Sequence, residues 1–339
     1  MRKSKFNLSI ILICLFVVCH LFSNSQFGKD FSKELLDDFR TLETMPIYMD
    51  VPLYDISTLN FSKTENYELS AFSLQSHTDI SDSDMIFISH PDNIVEYISK
   101  FEKNGVIANA TITMIAKEKL FEDSNNVVKS KNDFQRNAIT IDLSEILIAF
   151  TEDKTWEDIG YNNSDKIELF IPNKKSPYYD YVALGIYASL YGNCGDEAEA
   201  LQITKEVLDK VQEIPSSEKL SKTNQMYIVF EQGEQFKSIR KKNNITYCYP
   251  SDGILFPVYM MWNNDVEFAP IYDELISPSS WNKCNPFVDN NGYRPVDKTS
   301  YFSTRSRADG NIWASNAVDS INAINITSFE MASVLANLK

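Results

Sequence analysis

The sequence predicts an α/β protein whose mostly parallel sheets are covered by helices. Short apolar runs bounded by turn residues alternate with longer segments of helical spacing, the order that builds strand–helix units. The chain has 339 residues, 43% hydrophobic and 23% charged, which supplies apolar material for a large domain or for two lobes with separate cores.

The elements follow in chain order. Arg2, Lys3 and Lys5 precede an apolar run at 8–22, and Ser23 and Ser25 stand three and one before a cut after Ser25. That pattern describes a secretory signal peptide over 1–25. His20 interrupts the run, which falls short of the roughly 20 apolar residues of a spanning helix. Cleavage, retention as an N-terminal membrane anchor and lipidation at Cys19 all stay open. In each case the expected location is outside the cytoplasm, periplasmic or at the cell surface.

A first strand is expected at 45–56 and a buried one at 84–89. His90-Pro91-Asp92 then opens a helix, because Pro suits the first turn and Asp its positive end. Ile94, Val95, Ile98 and Phe101 follow at helical spacing, with Gly105 as terminator. The run at 138–150 is long and apolar, and 166–172 reads as a strand. Ser176 is expected to cap a helix whose first residue is Pro177, with Val182, Ala183, Ile186 and Leu190 buried and Gly192 ending it. Asp196 and Glu199 open a second helix as a capping box. A third helix is expected from about 223 to 240, then a strand at 244–249. Surface loops are expected around 281–304, and a last helix near 328–338.

Charge and cysteine count exclude several classes. Of 32 basic residues, three lie in the leader, so 29 stand against 47 acidic residues in the remainder, a charge of −18. Such a chain repels phosphate backbones, which makes nucleic acid an unsuitable partner. Cys194, Cys248 and Cys284 lie beyond the leader. They allow one disulfide and one free thiol but no stapled scaffold, and without a CxxC pair no structural metal site is expected.

The order of these pieces resembles the extracellular solute-binding proteins of ABC transporters, in the type II periplasmic-binding fold. The likeness is carried by several short patterns. Residues 144–150 (SEILIAF) resemble the strand that crosses between lobes, and Thr155-Trp-Glu-Asp-Ile-Gly160 the short helix after it. Residues 166–172 with 176–180 (SPYYD) resemble a strand and a ligand-facing helix start. Tyr249-Pro-Ser-Asp-Gly253, followed by 256–260 (FPVYM), resembles the return crossing, and 84–106 an early strand–helix pair. The resemblance implies two α/β lobes joined by two crossing strands, lobe 1 at 26–145 and 256–339 and lobe 2 at 146–255. It also implies a ligand held between the lobes and a membrane permease as partner.

Candidate ligand-binding residues sit where strands end and helices begin, because free N–H groups and the helix dipole point there. They are Ser176, Tyr178 and Tyr179; Ser89 and His90; and Tyr249, Ser251 and Asp252. Ser176 with the first-turn N–H groups suits a carboxylate or oxyanion. Adjacent tyrosines also ligate iron in ferric-binding relatives, although a plain cap with two packing aromatics explains them equally. Ser251 and Asp252 also make a simple turn. No catalytic, cofactor or metal residue is assigned. Cys194 sits at a helix start like a thiol nucleophile, but no His follows it to act as base. The expected function is capture of a small ligand (oxyanion, carboxylate, sugar or chelated metal) for ABC import. The alternative is an exported enzyme or a non-transport interaction protein on the same fold.

Overall fold

Alternation along β3 (Met85–Ile88) shows how the first sheet is made. Met85 and Phe87 enter the main core, while Ile86 and Ile88 enter a second core on the opposite face, as the two-residue period of a strand requires. The computed structural model describes residues 43–50, 67–74, 85–122, 128–129, 138–215, 220–231, 244–263, 268–276 and 322–339. The chain divides into two units, Met1–Thr44 and Met45–Lys339; of the first, only residues 43 and 44 are described. The leader and the loops expected at 281–304 lie outside the described residues.

In chain order the elements begin with β1 (Glu43–Met49), β2 (Tyr67–Ser73), β3 and α1 (Pro91–Tyr97). They continue through β4 (Lys103–Ala110), β5 (Ile112–Lys117), β6 (Val128–Lys129), β7 (Ala138–Ile141), α2 (Leu143–Thr151) and β8 (Glu168–Ile171). Next come α3 (Tyr179–Cys194), α4 (Glu197–Lys210), β9 (Gln212–Glu213), β10 (Gln225–Phe230), β11 (Ile245–Pro250), β12 (Asp252–Gly253) and β13 (Phe256–Trp262). The rest are α5 (Phe268–Ile276), β14 (Asn322–Ala323) and α6 (Ser328–Leu338).

Two large sheets result, ordered β2-β1-β3-β13-β4 and β6-β7-β11-β5-β10-β8-β9. The parallel pairs β1–β3, β7–β11, β10–β8 and β8–β9 bear out an α/β class flanked by helices. The sheets are mixed rather than uniformly parallel, because β13 and β5 each run antiparallel to both neighbours. These strands belong to the two places where the chain changes sheet. The first change is at Thr111, between β4 and β5, and the second lies between β11 and β13. Thr111 ties them together: its Oγ1 donates to Ile254 O at 2.8 Å, and its carbonyl accepts from Glu231 N.

Residues 144–150, likened above to a crossing strand, form a helix instead. Residues 143–151 are helical because Asp142 accepts the Glu145 N–H as N-cap, and Leu143, Ile146, Leu147 and Ala149 bury one face. The third helix expected from 223 begins instead as β10. Met226, Ile228 and Phe230 enter the main core while Tyr227 and Val229 enter the core on the other face, so an apolar run filled both sides of a strand. Gly105 does not end a helix, since α1 stops at Tyr97; it lies in β4 under the Tyr272 ring. Gly192 lies inside α3, whose terminator is Gly195 at φ 68°. Ser176 stands three residues before α3 in a preceding turn, and Tyr178 holds the N-cap position. Asp196 caps α4 by accepting from Glu199 N at 2.9 Å, and Thr327 and Glu330 cap α6 reciprocally.

α3 carries ten consecutive buried residues, Tyr181 to Leu190, and so runs through the core rather than across its surface. Gly185 allows its approach to β5: an added Cβ would stand 2.5 Å from Ile112 Cδ1. Gly185→Val is expected to cost about 1–3 kcal/mol by overpacking. Urea unfolding would check it, and an unchanged midpoint would refute the close-approach role.

Candidate functional site at the junction of the two sheets

Four chain segments meet where the sheets join. From the five-stranded sheet come the end of β1 at Asp50 and the β3–α1 turn at Ser89 and His90. From the other side come the start of α3 and the end of β10. Asp50 is 1% exposed, and its Oδ2 accepts the N–H groups of Ser89 and His90, each at 2.8 Å. That carboxylate shapes the turn, in which Pro91 opens α1 and His90 occupies the N-cap position.

The turn then reaches α3. Ser89 Oγ and the Tyr181 hydroxyl lie 2.5 Å apart, and His90 Nε2 lies 3.1 Å from Asp180 Oδ2. The His90 ring meets Tyr181 edge-on at 5.8 Å. Tyr181 stacks on Phe230 at 4.4 Å and meets Phe256 edge-on at 5.1 Å, while Tyr178 stacks on Phe230 from another side. Beyond Phe230, the buried Glu231 accepts from the Tyr249 hydroxyl at 2.8 Å. Lys339 Nζ bonds Asp92 Oδ2 at 3.1 Å and lies 3.7 Å from Asp180 Oδ2.

The electrostatics divide the acids. Burial pushes the Asp50 carboxyl up, against the two backbone N–H groups, His90 and Asn93. His90 above all, with Lys339, holds Asp180 below the usual carboxylate range. The signs are therefore opposite. Asp180 contributes stability above about pH 4 that is lost as pH falls through its depressed value. Asp50 binds its proton more readily folded than unfolded, so its ionisation lowers stability as pH rises through its elevated value. Asp50→Asn is accordingly expected to melt at or above the native temperature at pH 8, with the difference shrinking towards pH 4. A variant less stable at pH 8 by a pH-independent margin would refute this assignment.

Of the residues expected from sequence, Ser89 and His90 join this cluster directly, Tyr178 through Phe230, and Tyr249 through Glu231. Ser251 and Asp252 do not join it. Asp252 O accepts from Ser189 Oγ, ten residues along α3 from Tyr179, about 15 Å of helix axis; the Ser251 hydroxyl bonds the Asp252 carboxylate. Ser176 Oγ accepts from the Tyr178 N–H at 3.3 Å. Tyr179 is half-buried, and burial and then Asp180 and Asp209 raise its phenol; it makes none of the cluster's contacts given above. Asp50, Thr111, Asp180, Tyr181 and Glu231 were not foreseen. Only Asp50 carried a local signal, a polar residue ending an apolar strand ahead of Pro52. No cluster of three or more His, Cys, Asp or Glu suited to a metal occurs among the described residues. Cys194 is exposed and Cys248 buried, and both are free. Cys194 ends α3 while Asp180, the partner of His90, begins it, about 20 Å away by helical rise.

No protein-family model and no curated protein matches the chain. Solved structures do. Iron-bound HitA from Pseudomonas aeruginosa aligns over 87% of this chain and 98% of its own, with a TM-score of 0.52 and 9% identity. The spermidine/putrescine ABC transporter substrate-binding protein PotD from Streptococcus pneumoniae aligns over 87% and 97%, at a TM-score of 0.48 and 11% identity. The sulfate-binding protein SubI from Mycobacterium tuberculosis aligns over 76% and 88%, at 0.44 and 11%. The chain has the type II periplasmic-binding-protein-like fold: two helix-flanked sheets joined by two crossings. No described helix is long and apolar enough to cross a membrane.

Proposed function

We propose that the protein is an exported solute-binding protein, without catalytic activity, that captures a small ligand at the junction of its sheets for import by an ABC permease. One observation carries this reading. Side chains of the β3–α1 turn on one sheet (Ser89, His90) meet side chains at the start of α3 on the other (Asp180, Tyr181), about two adjacent crossings tied by Thr111. Such a layout lets a ligand touching both sides select a closed arrangement. On this reading the lobes exchange at Thr111 and at 251–255, so β5 to β7 fall in the second lobe. Ser89, His90, Tyr178 and Tyr249 remain ligand contacts, together with Asp180 and Tyr181, and Ser176, Tyr179, Ser251 and Asp252 are peripheral. The basic, apolar and small-residue order at 1–25 supports export.

Native mass spectrometry of the mature protein, purified from an exporting host without refolding, tests the reading. A discrete added mass that leaves on denaturation, and that raises the melting temperature when restored, is expected. A bare mass together with no thermal response to amines, oxyanions, sugars or ferric chelates would count against solute capture.

A further inference from the structure

The β3–α1 turn offers two consecutive backbone N–H groups, from Ser89 and His90, to a single oxygen. Such a pair suits an anion, but the oxygen it holds is Asp50 Oδ2, so the protein's own carboxylate already occupies the donors. The second oxygen, Asp50 Oδ1, has no hydrogen-bond partner among the described residues, in a side chain that is 1% exposed. An ionised carboxylate with one bare oxygen is costly to bury unless a positive donor completes it. The surroundings have matching chemistry. Asp180 stands at the start of α3 and Glu231 follows the Phe230 that stacks on Tyr181, so two further carboxylates border the same junction. Among the described residues, His90 and Lys339 are both engaged by Asp180.

We infer that the solute taken at this junction carries a protonated nitrogen, an ammonium or guanidinium group, which donates to Asp50 Oδ1 with Asp180 and Glu231 as further acceptors. This rests on the solute-binding reading above and narrows its ligand classes to a cationic one. Entry requires the Ser89–Tyr181 and His90–Asp180 contacts to part, which frees the two hydroxyls and Asp180 for the ligand.

Thermal shift and titration calorimetry of the whole mature chain at pH 8 decide it, with ethylenediamine, 1,4-diaminobutane and agmatine set against phosphate, sulfate and maltose. At least one amine is expected to raise the melting temperature in a concentration-dependent way. Asp50→Asn turns the bare acceptor into a donor while still accepting from the turn, and is expected to weaken that amine at least tenfold. In the native chain the same amine is expected to bind progressively less tightly as pH falls and Asp50 takes a proton, a readout independent of any variant. Amine binding unchanged in Asp50→Asn, or unchanged with pH where the variant does not fold, overturns the role of Asp50. A response to phosphate, sulfate or maltose but to no amine overturns the cationic solute and leaves solute capture standing. Silence from every probe overturns the cationic solute, and solute capture then rests on the native mass measurement above.

Discussion

Trp156→Ala is expected to lower stability by about 3–5 kcal/mol, the usual cost of deleting a buried large aromatic. Trp156 is fully buried on the short turn before β8. Its Nε1 donates to Asn224 O at 2.9 Å, and Asn224 in turn donates to Lys166 O at 2.9 Å. Tyr161 meets the indole edge-on at 5.2 Å, and the backbone pairs Thr155 with Lys166. One side chain thus joins the turn, β8 and the start of β10. A fall of about 10 °C in melting temperature is expected for a domain of this size. Trp156→Phe keeps much of the apolar contact but leaves the Asn224 carbonyl bare, and should cost about 1–3 kcal/mol. A fall under about 3 °C for the alanine variant would sink the assignment.

Tyr181→Ala is expected to cost a similar 3–5 kcal/mol, with an added effect on how the sheets are held. Its ring is fully buried between Phe230, Phe256 and His90, and its hydroxyl meets Ser89 from the opposite sheet. Tyr181→Phe separates ring from hydroxyl and should cost about 1 kcal/mol. Because Ser89→Ala removes the same contact, the double variant should cost clearly less than the two single ones together. Strictly additive losses in that cycle would show that the two hydroxyls do not act as a pair. Solution scattering adds a second test: Tyr181→Ala should populate a more open form, raising the radius of gyration relative to Tyr181→Phe.

These two positions also show what kind of information the sequence carried. Trp156 was legible as a motif, because Thr155-Trp-Glu-Asp-Ile-Gly160 is a local turn closed by a glycine at φ 83°. Tyr181 was hidden inside a helix and gave no sign that its hydroxyl faces a serine 92 residues away. Two of the misread elements share a cause. Residues 143–151 and 225–230 are short apolar runs, for which periodicity alone does not separate a buried helix from a buried strand. Asp142 decides the first by capping a helix; pairing with β5 and β8 decides the second.

The α/β class and most elements from β3 onward could be read from the chain alone. Those features depend on residues near one another in the chain: Pro after a strand, caps before helices, apolar alternation. Which strand ends meet, where the chain changes sheet, and that Asp50 holds the Ser89–His90 donors follow from long-range packing. Those outcomes depend on hydrogen bonds spanning 39 to 143 residues of sequence, whose partners packing selects and no local pattern encodes.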